Sequence, residues 1–407
     1  MSCERGKKFI SYEKSVEILE SVQISKRATK KLFLMESLGK ILATDIVAMG
    51  NYPEFSTSAM DGYAIKYIDQ ELGKIKISGI NPAGSDEGLD VVDGSCIKTF
   101  TGSLMPSGSD TLIPIENVKV EDGTIAIIHK VPFGFAVREV GESYKKDEVL
   151  IKSGTKIGFA EIGVMAGLNL SVVEVYETPT IAIASTGSEI LDLGEIQTNK
   201  AQIRSSNHLT LEALAKKYGA NVNQMGVVKD DKASILNLIK SSLQSSDIVV
   251  TTGGVSVGDY DFVKDIIKEE LGATVLFQGV NIKPGQHVIL AQKGDKFIVG
   301  LPGFAYSSTV TFILYVLPLL LKFQGADEKL QIIKAILDEK KVIKGNKTTF
   351  EACNIFLKEG VYHINFDDKK SGTSAILTNM LGNTGLLMEG EVKAPLNVGD
   401  LVDVIIV

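Results

Sequence analysis

Cysteine is scarce in this chain, and histidine nearly so. Cys3, Cys96 and Cys353 are the only three among 407 residues, and none forms a CxxC pair. That sets aside a disulfide framework and a cysteine-built zinc site, and it fits a reducing cytosol. His129, His208, His287 and His363 are equally scattered. No HExxH and no Ser-His-Asp signature appears, so neither familiar hydrolytic route is indicated, although a distant constellation could still assemble in three dimensions. Basic residues are not in excess: 43 Lys and Arg stand against 50 Asp and Glu, a formal charge of −7 with no basic stripe. Nucleic acid is therefore disfavoured as the main partner, while a small anion needs only a local positive pocket. Long apolar runs are also missing. The first eight residues hold no apolar stretch of signal-peptide length. The most hydrophobic run, Phe312-Ile-Leu-Tyr-Val-Leu-Pro-Leu-Leu-Leu321, is too short to span a bilayer and predicts a core helix bent near Pro318.

What the chain does have is one design repeated three times. An apolar strand runs into a Gly-bearing turn and then a helix: Ile181-Ala-Ile-Ala-Ser-Thr-Gly187, Asp247-Ile-Val-Val-Thr-Thr-Gly-Gly254 and Phe297-Ile-Val-Gly-Leu-Pro-Gly303. Carboxyl ends of parallel strands are where open α/β sheets bind ligands, and bare N–H groups in such turns suit phosphate or another oxyanion. Around this lies a regular alternation of strand and helix. Asn207 is placed as the N-cap of a helix over 209–218 that Gly219 stops, and Asp231 as the cap of a helix over 234–243. A further helix is expected over 262–271. Upstream, residues 11–22 predict a short amphipathic helix, with Val16, Leu19 and Tyr12 on one face. The segment 51–129 is rich in Gly, Pro, Ser and short β-type runs. The chain is thus α/β multidomain: a three-layer α/β domain with small, mostly β domains. The boundaries expected are 1–50 with 130–178 as a discontinuous linker domain, 51–129, 179–328, and a β-barrel-like domain at 329–407.

Thr251-Thr-Gly-Gly-Val-Ser-Val-Gly-Asp-Tyr-Asp261 is the strongest local signal. Its glycines permit positive φ and close approach to a ligand. Asp259 and Asp261 either cap a helix or hold Mg²⁺ together with substrate phosphate. Glu189, after Gly187, has the same two readings. Asp230 and Asp231 follow a strand, as a turn-and-cap pair or as site residues. Lys283-Pro-Gly285 puts a cation on a tight turn. Ser58-Ala-Met-Asp-Gly-Tyr-Ala64 contains a good turn former, Asp61-Gly62, between apolar neighbours.

Together, and in this order, these pieces with Thr101-Gly102 and Leu301-Pro-Gly303 resemble the molybdopterin molybdotransferase family, the bacterial MoeA proteins and the E domain of gephyrin. The resemblance runs from about residue 9 to residue 407. It implies four domains in an elongated cytoplasmic homodimer, with an α/β domain like that of MogA and MoaB. It implies a transferase that takes adenylylated molybdopterin and molybdate, releases AMP with Mg²⁺ present, and yields molybdenum cofactor. Expected partners are a molybdopterin adenylyltransferase and apo-molybdoenzymes, with neither nucleic acid nor membrane. On this chain the catalytic positions would be Asp61, Thr101, Glu189, Asp230 and Asp261, with Glu189 and Asp261 on the metal. The cofactor-binding positions would be Gly187, Gly253, Gly254, Ser256, Gly258, Lys283, Gly285, Pro302 and Gly303.

Several positions depart from the family pattern. Phe304 and Ala305 follow Gly303 where Asn-Pro is usual. Gln286 and His287 follow Gly285 where Lys-Pro is frequent. Ser188 and Ser143 stand where Asp is common. Losing a Lys and an Asn amide should weaken an anion site, each charged hydrogen bond contributing on the order of 1.5–3 kcal/mol. The alternative reading is therefore a catalytically weak paralogue that holds and delivers molybdopterin. An adenylyltransferase, suggested by the α/β domain alone, fits less well with the large flanking regions.

Overall fold

The computed structural model describes residues 9–24, 28–254, 262–325, 329–342, 345–370 and 374–407. By contact density the chain divides into two compact units. The first is Met1–Ala43, Gly154–Gly158 and Val172–Val407; the second is Thr44–Ser153 and Phe159–Ser171.

The first unit is built on a six-stranded sheet. Its strands are β1 (Thr180–Thr186), β2 (Asn221–Val228), β3 (Ile248–Thr252), β4 (Thr274–Gln278), β5 (Ile289–Lys293) and β6 (Lys296–Leu301). Their order is β2-β1-β3-β6-β5-β4. β2, β1, β3 and β6 are parallel, whereas β5 runs against them and pairs antiparallel with both β6 and the edge strand β4, so the sheet is mixed. The helices are α1 (Asn207–Lys217), α2 (Lys232–Ser245), α3 (Phe262–Asp265, continued by the π-turn Ile266–Glu270) and α4 (Ala305–Thr311).

Successive side chains of the central strands point to opposite faces, which creates two apolar layers. Ile181, Ile183, Ile248, Val250, Phe297 and Val299 pack on one side with Leu211 of α1 and Val310 of α4. Ala182, Val249 and Ile298 pack on the other with Ile235 and Ile239 of α2 and Val263 of α3. Each fully buried aliphatic side chain contributes roughly 1.5–3 kcal/mol. The expected three layers are present. The N-terminal helix Tyr12–Ser21 joins the first layer through Leu19, and its Ser15 hydroxyl lies 2.9 Å from that of Tyr315; Val16 is only half-buried.

The helix around Pro318 is longer than the apolar run suggests. It extends over Ala305–Gln324, twenty residues, and 83% of its most apolar window is buried. By length and composition alone it could cross a membrane; here it fills the core. A π-turn, Phe312–Val316, interrupts it, with the Leu317 N–H reaching Phe312 O, just before Pro318 enters the last segment, Leu317–Gln324. A wider turn there suits a proline, which has no amide hydrogen to donate and whose ring crowds the preceding turn.

Beyond residue 329 the strands Thr348–Lys358, Val361–Asn365, Ile332–Leu337, Leu401–Ile406 and Thr384–Glu389 pair in that order. The last pairs back on the first, closing a small barrel. Ile282–Lys283 adds to it beside Thr348 and Thr349.

The second unit carries its own six-stranded sheet, ordered Thr111–Pro114, Gly62–Ile65, Ser95–Thr99, Ile75–Asn81, Thr124–Ile127 and Val118–Glu121. Gly62 is not a turn residue, as Asp61-Gly62 suggested; it opens an interior strand. A Cβ there would lie 2.3 Å from the carbonyl oxygen of Ile113, so the motif needs glycine for close strand approach. Gly62→Ala is expected to destabilise the protein by about 1–3 kcal/mol through overpacking. A shift in the denaturant midpoint at unchanged m-value would check this.

Candidate active site

The sheet order places a switch point between β1 and β3, where successive connections leave in opposite directions and a crevice forms outside the strand ends. A cavity of about 600 Å³ opens there. Each parallel strand contributes to its wall: Gly187 and Glu189 after β1, Asp230 after β2, Gly253 and Gly254 after β3, Pro302 and Gly303 after β6. These residues are up to 116 positions apart in the chain (303 − 187).

The turns are stitched to one another. The Gly253 N–H donates to Leu301 O at 3.0 Å, and the Thr186 hydroxyl donates to Thr252 O at 3.3 Å. Gly253 has φ +94°, and a Cβ on it would sit 2.8 Å from both oxygens of Thr186. The Gly187 N–H donates to Val228 O at 3.4 Å. These two N–H groups are thus used inside the sheet rather than bare, because neighbouring parallel strands extend their ladder into the turns. The glycines give close approach; the polar lining comes from side chains, namely Ser185, Arg204, Ser205, Asn207, Thr252 and His287. Sequence reasoning missed Ser185, Ser205 and Thr252 as lining residues; Ser or Thr just before a strand-end glycine was a usable signal for Ser185 and Thr252, and no local signal marked Ser205.

Three local expectations change. No helix begins at Glu189: the turn leads into a short strand, Ile190–Leu191, paired with Ile203–Arg204. Its carboxylate therefore caps nothing there and folds back over Gly187, where a Cβ would be 3.0 Å from both of its oxygens. Asn207 is not the N-cap; Ser206 occupies that position without a side-chain cap bond. The Asn207 amide instead donates to Gly303 O at 2.7 Å, tying α1 to the β6 turn. Asp230 and Asp231 divide their roles. Asp231 caps α2 by accepting from Ser234 N at 2.9 Å, and that backbone bond holds its carboxyl below the usual range. Asp230 faces the cavity.

A second cavity, about 510 Å³, shares His287, Pro302 and Phe304 with the first. Lys283, Gly285, Gln286 and Lys347 line it. Gly285, at φ +97°, lies so close to α4 that a Cβ would be 2.1 Å from Thr311 Cγ2.

In the second unit, Asp61 and Thr101 meet. Asp61 Oδ1 accepts from the Thr101 N–H at 2.8 Å and from its hydroxyl at 2.7 Å. The backbone bond first, then the hydroxyl, keeps this exposed carboxyl below the ordinary carboxylate range. Asp261, Ser256 and Gly258 lie outside the described residues.

Two family models match the chain: the MoeA N-terminal region (domains I and II) over residues 10–168, and the probable molybdopterin binding domain over 182–322. A molybdopterin molybdenumtransferase of Staphylococcus epidermidis is 33% identical over 382 residues, 92% of this chain and 90% of the relative. The chain belongs to the molybdopterin molybdenumtransferase (MoeA) family. Another transferase of that name, from a Nostoc species, is 30% identical over 368 residues, 88% of this chain and 83% of that protein. The crystal structure of a MoeA protein from Pyrococcus horikoshii OT3 aligns with a TM-score of 0.83 at 27% identity, over 98% of this chain and all of that one. As a MoeA-family member the protein is a transferase of molybdenum cofactor biosynthesis.

Magnesium can be tested against the residues present. Among the described residues no cluster of three or more His, Cys, Asp or Glu is disposed to hold a metal. Glu189 and Asp230 do line one cavity. One or two carboxylates, completed by substrate phosphate and water, is the donor set Mg²⁺ takes, so the residues fit.

Two outcomes follow. Asn207→Ala should cost about 1 kcal/mol by freeing Gly303 O, read from the unfolding free energy. Thr101→Val should move the Asp61 titration up toward the ordinary carboxylate value, read by carboxyl NMR. The sign is that of a depressed carboxylate. The bond's contribution to stability is present above the unfolded-state value and lost as pH falls through the folded one, so the variant's deficit against the wild type is full at neutral pH and fades in acid.

Proposed function

We propose that this protein transfers molybdate into adenylylated molybdopterin, releasing AMP and molybdenum cofactor. The observation that carries the reading is the convergence of four strand ends on one cavity that holds glycine turns and two carboxylates. Breaking a phosphoanhydride requires charge neutralisation and an aligned oxyanion more than a protein nucleophile. Hydroxyls of Ser205 and Thr252 and the Arg204 guanidinium are placed to orient the phosphate end, and glycines 187, 253, 254 and 303 let it approach the backbone. Glu189 and Asp261 would hold Mg²⁺, with Asp230 beside them on the wall; the ion, when bound, neutralises phosphate oxygens. Molybdate, a substrate oxyanion, enters beside Lys283, Gly285 and Pro302. Asp61 and Thr101 line the facing wall, which the SAMDGYA segment of a second subunit supplies in a cytoplasmic homodimer. A molybdopterin adenylyltransferase supplies the substrate, and apo-molybdoenzymes take the product. The four-domain division with boundaries at 51–129, 179–328 and 329–407 belongs to the same proposal.

A second reading has its own observation. Gln286 and Phe304, at positions where the family usually has Lys and Asn, both line the second cavity. A weakened oxyanion site there would leave a protein that holds and delivers molybdopterin without turning it over.

Supplying adenylylated molybdopterin, Mg²⁺ and molybdate, and measuring AMP together with reconstitution of an apo-molybdoenzyme, separates the two. Release of AMP is expected, falling about 10²- to 10³-fold in Glu189→Gln and in Asp261→Ala. Tight binding without AMP supports the delivery reading; undiminished release in both variants removes the metal role from these carboxylates.

A further inference from the structure

A hydrogen-bonded chain that no sequence motif announces runs from the surface to the wall of the strand-end cavity. His208, on the first turn of α1, is 1% exposed. Its Nε2 lies 3.2 Å from Asp192 Oδ1, and its Nδ1 lies 2.7 Å from the Ser205 hydroxyl. Ser205 is 3.2 Å from the Ser185 hydroxyl, and Ser185 is 3.1 Å from that of Thr252. Ser205, Ser185 and Thr252 line the cavity.

The fold makes room for this arrangement. Gly226 interrupts β2 at φ +69°, where the β1–β2 register shifts, and a Cβ on it would stand 2.8 Å from Asp192 Oδ2. The Gln224 amide donates to the backbone oxygen of His208 at 3.3 Å. The ring is therefore fixed by a carboxylate on one nitrogen and a hydroxyl on the other, which is how a histidine tautomer is set.

We propose that Asp192 and His208 are positioning residues that switch the Ser205 hydroxyl between acceptor and donor toward the anionic ligand of the cavity. The inference rests on the function proposed above and extends it to substrate binding. When His208 is neutral, Nε2–H donates to Asp192 and Nδ1 accepts the Ser205 proton, so Ser205 presents lone pairs to the cavity. When His208 is protonated, Nδ1–H donates to Ser205 Oγ, and the Ser205 proton is released toward the cavity or along Ser185 to Thr252. The one covalent change is the Nδ1–H bond made with a proton taken from solvent; every other change is an exchange of hydrogen bonds. A phosphate end is then met by a donor at low pH and by a lone pair at high pH.

The surrounding charges are few. Asp192 faces the ring, and its own N–H donates to Glu195. Glu212 lies one turn further along α1, with its carboxylate bound by Lys216 and Gln224. β1, β2 and α4, which pack against α1, carry no charged side chain.

The test is calorimetric binding of adenylylated molybdopterin to the full chain between about pH 5.5 and 8.5, the range in which histidine titrates. The wild type should bind about tenfold more tightly at the acid end, as one added hydrogen bond to a charged group allows. Ser205→Ala, which removes a half-buried hydroxyl and leaves the ring in place, should flatten the profile at the weak, high-pH level. His208→Gln should flatten it as well. A purely structural histidine would instead lower affinity equally at every pH and leave the slope. A wild-type profile without slope, or one retained in Ser205→Ala, overturns the relay while leaving the function intact. No binding at any pH overturns the function and the relay together.

Discussion

Everything at the site depends on parallel pairing that brings β1, β2, β3 and β6 to a common edge. Thr186 pairs with Val228, Ser185 with Thr252, and Thr252 with Leu301, so the strands finish at nearly the same level. Side-chain and turn bonds then lock the ends. Thr186 reaches Thr252 O, Gly253 reaches Leu301 O, and Asn207 reaches Gly303 O. A one-residue slip would reverse every side chain in both core layers, so burial of those layers holds the register of the site.

This arrangement changes what the glycines do. In an isolated loop, Gly187 and Gly253 would offer free donors to an anion. In the sheet their N–H groups belong to the ladder, and their value is the absence of a side chain where Glu189 and Thr186 press in. The polar lining of the cavity comes instead from a hydroxyl, an amide and an arginine carried by α1 and the loop before it, together with strand-end hydroxyls. The same economy appears in the second unit, where Gly62 serves strand approach and the Thr101 hydroxyl is already given to Asp61.

Much of the fold was legible. The apolar runs at 181–186, 248–252 and 297–301 read as strands, and the helices after Asp231 and before Gly219 read from their periodicity and caps. Glu189, Asp230 and glycines 187, 253, 254 and 303 came from motif and resemblance, and the structure gathers them in one cavity; Gly285 lines the second, and Gly258 lies outside the described residues. Asn207 was misread because a polar residue before an apolar helix satisfies the local rule for a cap; its true partner lies 96 residues away (303 − 207). His208 passed as one scattered histidine because Asp192 and Ser205 approach it only after the loop at 190–204 folds back on itself.

Alone, the sequence determined the period of each element, the positions that glycine must fill, and the family to which the chain belongs, because those are properties of short segments and of their order. Only the tertiary structure decided which strands are neighbours, where the barrel closes through Thr384–Glu389 on Thr348–Lys358, and which polar side chains share a wall. The physical reason is that burying two faces of a sheet selects one strand order among many. That order, not the local pattern, sets which distant residues lie within hydrogen-bond reach.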